Sequence, residues 1–221
     1  MHRDRVDIAE EVGVKRTFVW AIDWPGWCRS GKDVALAIAS LIDHGPRYAI
    51  VAGAAGFDLG DVSPDDLFTV ESVAGGSGTE FGVPSTMGEV DRRPTTEAEA
   101  ERLARLVEAA WAEFDRVSAS APAELRKGPR GGGRDRDKMI GHVNESDGYY
   151  AREIGVSQKQ PDTTDRAVVE SMRAAILDVL RSPSDGSPLA GRRWPARYAA
   201  RRIAWHALDH AWEMEDRSTD A

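Results

Sequence analysis

The stretch "RYAARRIAWHALDHAWEMEDR" sets His206 and His210 four residues apart in a chain of 221 residues that holds five histidines. Four residues span about one helical turn, so both imidazoles leave a helix on the same side. A second constellation stands earlier, in "GHVNESDGYY", where His142 and Glu145 are at i, i+3. One helix would then present an imidazole and a carboxylate, and another helix two imidazoles. Bundle cores build metal sites from side chains on facing helices in this way. Three neutral imidazoles with an open fourth position are the donor set of catalytic zinc. Imidazole also suits nickel, copper and iron, so the donors do not select one ion. The structural alternative stands beside this reading. Two histidines at i, i+4 arise often by chance, a buried neutral histidine can simply satisfy a core hydrogen bond, and no HExxH-type signature accompanies the pair. Glu145 could be a fourth ligand, an orienting group or a proton acceptor, or it could be an exposed helix carboxylate. Asp209 points about 100° away from each neighbouring histidine, and it is left out. His2 and His44, at a terminus and a helix end, read as surface residues.

Such a site needs helices, and from Thr95 the apolar spacing turns helical. "TTEAEAERLARLVEAAWAEFDRVSASAP" opens with a threonine before a Glu-rich first turn, an N-cap signature. "DRDKMIGHVNESDGYYAREIG" is a second helix, "TTDRAVVESMRAAILDVLRS" a third, and "PARYAARRIAWHALDHAWEMEDR" a fourth, with Pro195 near its first turn. Four helices of about 20 residues joined by polar Gly/Pro segments make a four-helix bundle the economical arrangement. Between the first two lies "LRKGPRGGGRDRDK", Leu125 to Lys138, with six basic and two acidic residues and four glycines. It could clamp an acidic substrate or a cofactor carboxylate near the mouth of a metal site, or be a solvated linker. Without a Lys-Ser/Thr ending it is no phosphate-binding loop. Trp194, Trp205, Trp212, Tyr149 and Tyr150 read as core or interface aromatics. Arg197, Arg201 and Arg202 line a pocket mouth or cover the surface.

The preceding residues have a different period. "KRTFVWAID" is β-rich and stops at the turn signal "DWPGW". "KDVALAIASLIDHG" is a short amphipathic helix with Gly45 near its C′ position. "RYAIVAG" and "DLFTVESVAG" read as further strands. "GGSGTEFGVPSTMGEVDRRP" is the expected boundary between two domains, residues 1–90 and 91–221. The fold class is therefore α+β, a small α/β unit followed by a helical bundle.

Composition narrows the class of function. Hydrophobic residues make up 41% and charged residues 30%, which suits a globular protein with a real core. The net charge of −8 disfavours nonspecific binding to nucleic acid or anionic lipid. The acidity is concentrated before residue 95, where 15 acidic residues face 9 basic ones. No apolar run approaches the roughly 18 residues of a membrane span. The first residues lack the apolar centre of a secretory signal, so no membrane association is expected. The single cysteine, Cys28, excludes an internal disulfide framework and fits a reducing cytoplasm. In "WPGWCRSG" it could be a reactive thiol, although a lone cysteine with no nearby base is usually inert.

From about Thr95 to Arg217, on "GHVNESDGYY" and "AWHALDHAWE", the chain resembles the DinB-like superfamily, which includes the mycothiol-dependent maleylpyruvate isomerases. The resemblance implies a four-helix bundle in which His142, His206 and His210 bind a divalent metal, zinc or nickel first. It implies a small-molecule substrate, with mycothiol or another small thiol as a cofactor, and a homodimer. Two lines of chemistry follow: a thiol-dependent transferase or isomerase, in which a metal favours the thiolate, or a metal-hydroxide hydrolase. Residues 15–75, on "WAIDWPGWCRSGKDVALAIASLIDH", resemble the HicB-like fold, a small β-α-β unit. That part implies a regulatory, dimerising or pocket-covering domain rather than an antitoxin. A noncatalytic module that mediates protein association is the reading opposed to an enzyme.

Overall fold

A computed structural model describes residues 5–128, 132–157, 162 and 164–218. It is mixed α+β, with a four-stranded sheet near the N-terminus and seven helices among the described residues. The strands are β1 (Val6–Val12), β2 (Thr17–Ala21), β3 (Cys28–Gly31) and β4 (Leu67–Ala74), in sheet order β3-β2-β1-β4. β1 pairs antiparallel with β2 and parallel with β4, and β2 pairs antiparallel with β3. The crossover from β3 to β4 runs through α1 (Val34–Asp43) and α2 (Gly45–Ala54), after which a four-residue helix α3 (Ser77–Glu80) follows β4.

β2 is buried on both faces, and strand alternation sorts its side chains between two partners. Phe18 and Trp20 join Ala9, Cys28 and Trp205 in one cluster. Val19 and Ala21 join Ile8, Ala37 and Leu41 in the main core. The sheet is therefore covered on both sides, by α1 and by the last helix of the chain.

One sequence expectation needs correction here. "RYAIVAG" is not a strand but lies in α2, where Tyr48, Val51 and Ala52 are buried at helical spacing. Pro46 at the first turn and the alanines favour the helix, whereas the continuous apolar run hides its period. β1 and β3 are strands with no simple alternation: β1 buries Glu10 and Glu11, and β3 is four residues long.

The four long helices are α4 (Glu97–Ser120), α5 (Arg136–Glu153), α6 (Arg166–Leu180) and α7 (Ala196–Ser218). Each packs on two of the others in the ring α4–α7–α5–α6. The cap expected at the start of α4 is present: the Thr96 hydroxyl accepts from the Glu99 amide, and Glu99 accepts from the Thr96 amide at 2.9 Å. Asp165 caps α6 through the amides of Ala167 and Val168. One hydrophobic core runs without interruption from Ile8 and Trp27 to Met172 and Trp212.

Residues 75–94 are a strap docked between the sheet and α7. Buried Glu11 accepts hydrogen bonds from the Thr79 hydroxyl and the Thr86 amide. Tyr198 donates to the Ser85 carbonyl, and the Arg201 guanidinium donates to the carbonyls of Pro84 and Thr86. Arg201 also forms a bidentate pair with Asp91 at 3.0 and 2.8 Å, with both side chains buried. At the opposite end of the sheet, Gly26 takes φ +95° in the turn quoted as "DWPGW". That φ is rarely adopted by an L side chain, and a Cβ there would also stand 3.1 Å from Ala204 Cβ, so glycine suits this turn against α7. Removing one partner of a buried ion pair strands the other charge. Asp91→Ala should therefore lower the unfolding free energy by about 3–5 kcal/mol, measured by urea titration. A loss below about 1 kcal/mol, the scale of an exposed pair, would show that the strap is not held by this contact.

Candidate metal centre

The three histidines expected to converge do so. α5 carries His142, α7 carries His206 and His210, and these helices pack directly on each other. One ligand atom from each lies within 4.8 Å of the others. The ring centroids are 4.7 Å apart for His206 and His210, and 5.0 and 5.1 Å from His142 to each. His206 and His210 are buried and His142 is half-buried, so the group opens toward solvent on the α5 side.

The nitrogens can be assigned. His206 Nε2 lies 3.2 Å from His142 Nε2. His210 Nδ1 lies 3.1 Å from Glu213 Oε2, which leaves its Nε2 toward the other two rings. Glu213 in turn accepts from Arg217 Nη1 at 2.7 Å, and Arg217 Nε donates to the Arg126 carbonyl at 2.7 Å. A carboxylate on the remote nitrogen of an imidazole fixes its tautomer and raises its basicity, as at many metal-ligating histidines. This chain also ties the described end of the Gly/Arg loop to the C-terminus of α7, since the Arg126 amide donates to the Arg217 carbonyl. Residues 129–131 of that loop, and His2, lie outside the described residues.

Electrostatics keep two of the rings neutral. Burial, followed by the neighbouring charges of His210 and Arg134, pushes His142 down to about 4. Burial, with His210 and Arg202 behind it, pushes His206 well below the ordinary imidazole value. Glu213 is held below the usual carboxylate range, first by its hydrogen bond to His210. Neutral imidazoles keep the lone pairs a cation needs.

The donor set fits a divalent ion. Two imidazole nitrogens bound at about 2.0–2.1 Å with a tetrahedral angle stand about 3.3 Å apart, close to the observed 3.2 Å. A direct imidazole–imidazole hydrogen bond gives the same distance, and under either arrangement His206 Nδ1 is buried with no partner among the described residues.

Glu145 is placed elsewhere. It is exposed on α5 and takes no part in the histidine group. The carboxylate in contact is Glu213, three residues after His210 in the same helix; its signal was the i, i+3 spacing in "HAWE". Asp209 indeed points away, pairing with Arg29 at 3.0 Å. His44 is not a surface residue: it is half-buried, donates from Nδ1 to the Ser40 carbonyl, and packs its ring 5.2 Å from that of Trp212. Arg197, Arg201 and Arg202 do not cover the surface either, because all three are buried.

No family model, no curated protein and no solved structure matches the chain.

Two measurements follow. Glu213→Gln keeps the shape but weakens the anionic hold on His210, so zinc affinity measured against a chromophoric chelator should fall about 10–100-fold with the circular dichroism unchanged. Equal affinity would remove Glu213 from the site. Cys28 is fully buried, and burial pushes its thiol up to about 12. Native protein at pH 8 should therefore resist iodoacetamide and react once unfolded; rapid native alkylation would contradict this burial.

Proposed function

We propose that the chain is a cytoplasmic, divalent-metal-dependent enzyme of the DinB-like superfamily, acting on a small molecule with a low-molecular-weight thiol as co-substrate. The observation that carries this reading is the convergence of His142, His206 and His210 from two facing helices, with Glu213 orienting His210. Three imidazoles with the half-buried His142 at the open side leave a coordination position for an exogenous group. Bound there, a zinc or nickel ion would supply Lewis acidity, lowering the pKa of a thiol or a water molecule to near neutrality. His142, His206 and His210 would hold the ion, and Glu213 would keep the His210 ring in register. The resemblance on "GHVNESDGYY" and "AWHALDHAWE" favours the thiol line over hydrolysis, and extends to a homodimer. The HicB-like resemblance of residues 15–75 adds a regulatory or pocket-covering role. The opposed reading, a noncatalytic module, takes the His142–His206 contact of 3.2 Å as a plain hydrogen bond.

Metal analysis separates the two. Purified protein in zinc- or nickel-replete medium should carry about one equivalent per chain, lost in His206→Ala and His210→Ala. Wild-type protein that stays metal-free under those conditions rejects the enzyme reading. In cobalt-substituted protein, mycothiol or another small thiol should add a sulfur-to-cobalt charge-transfer band; an unchanged spectrum removes the thiol line and leaves hydrolysis.

A further inference from the structure

One turn along α7 from the histidines, a cavity of about 290 Å³ opens between α5, α7 and the strap. Its walls are Tyr149, Tyr150, Trp194 and Tyr198 with Met87, and the Arg202 guanidinium lines it as well. The Tyr150 ring is shared with the metal centre, since its centroid lies 5.7 Å from that of His206. Aromatic walls with one convergent charge are the usual make-up of a small-molecule site.

Arg202 is the unusual member. It is 7% exposed, and its Nε and Nη1 are buried with no hydrogen-bond partner. Its Nη2 donates to the Tyr150 hydroxyl at 3.3 Å, and its charge lies over the rings of Tyr150 and Trp205 at 5.6 and 4.9 Å. Among the described residues no carboxylate pairs with it. The other buried arginines of α7 and α6 all have acidic partners: Arg197 has Asp23 and Glu99, Arg201 has Asp91, and Arg173 has Asp115 and Asp147. A buried cation with only aromatic faces for company is costly, and an anion from outside would relieve it.

We propose that this cavity binds a small carboxylate with a flat apolar body, its carboxylate on Arg202 and its body among the aromatic rings, one of which, Tyr150, also packs on His206. The assignment of that molecule as substrate rests on the enzyme reading above; the binding itself does not. Charge balance selects a monoanion. The other guanidinium at the cavity, Arg193, is neutralised by a bidentate pair with Glu153 and also donates to the Tyr149 hydroxyl. One unpaired positive charge thus remains, which matches a carboxylate better than a phosphate dianion.

Calorimetry on the full chain, metal-free and zinc-loaded, tests this with benzoate, its neutral isostere benzamide, and inorganic phosphate. Benzoate should bind the metal-free protein, with benzamide about tenfold weaker or worse. Arg202→Met should lose benzoate binding by about tenfold or more while melting no lower than wild type, since it removes an uncompensated buried charge. Equal binding of benzoate and benzamide, tighter binding of phosphate, or undiminished benzoate binding by Arg202→Met each overturns the proposal. Should that variant fail to fold, the benzoate–benzamide comparison on wild type decides alone. Protein that refuses zinc yet discriminates benzoate from benzamide sinks the metal reading and keeps the pocket. Benzoate that binds only the zinc-loaded form, indifferent to Arg202, sinks the pocket and keeps the metal.

Discussion

The constraint on which this structure depends is the enclosure of α7. Seventeen of its 23 residues are buried, yet it carries Arg197, Arg201, Arg202, His206 and His210 among them. A helix enclosed on nearly every side is ordinarily apolar all round. An ionisable group on this one needs compensation, because an isolated buried charge costs several kcal/mol or more. The rest of the fold can be read as the set of partners brought to α7. Small residues make that approach feasible. Ala199, Ala200, Ala204, Ala207 and Ala211 keep the helix thin, and Ala204 is where Gly26 lies against it.

The partners come from distant parts of the sequence, and that is what joins the N-terminal residues to the long helices. Arg197 reaches back to Asp23 and Glu99, and Arg201 to Asp91 and the strap carbonyls. Phe18 meets Trp205 edge-on at 6.1 Å, while Trp20 accepts the Arg201 cation on its face at 4.1 Å. A linker between independent domains would carry few contacts of this kind. Residues 75–94 instead answer charges that α7 cannot leave unpaired, and the aromatic cavity has Ser85 and Met87 in its wall as a result.

Much of this was legible from residue types. The spacing of His206 and His210, the helices that carry the three histidines, the Thr96 cap and the strands around Thr17–Ala21 and Leu67–Ala74 all follow local rules of period and capping. What local rules cannot see is pairing across sequence. The burial of Glu11 is compensated by Thr79 and Thr86, more than 60 residues away, so β1 shows no amphipathic signature. Three arginines in one helical stretch look solvent-facing until Asp23, Asp91 and Glu99 are known to meet two of them. α2 is apolar enough to pass for a strand, and its packing on α4 adds to Pro46 and the alanines in making it a helix. Glu213 was within reach of spacing arguments, but a carboxylate three residues after a histidine is too common on helix surfaces to stand out.

Seen from α7, the candidate site and the unpaired arginine are one problem solved in two ways. His206 is held neutral by its burial, so it costs little as a charge, and what it demands is a partner for its lone pair. Arg202 cannot become neutral, because a guanidinium holds its proton at any physiological pH. Its neighbours Arg197 and Arg201 were given carboxylates; giving Arg202 one as well would fill the cavity it lines and place a fixed anion one turn from the histidines. A fixed anion there would compete with any incoming acidic molecule and draw a bound cation off the three rings. Leaving Arg202 on aromatic faces keeps an unpaired positive charge at a cavity lined by α5, α7 and the strap. The stability given up by that missing pair is the kind of local cost that proteins concentrate at sites of function rather than spread through their cores.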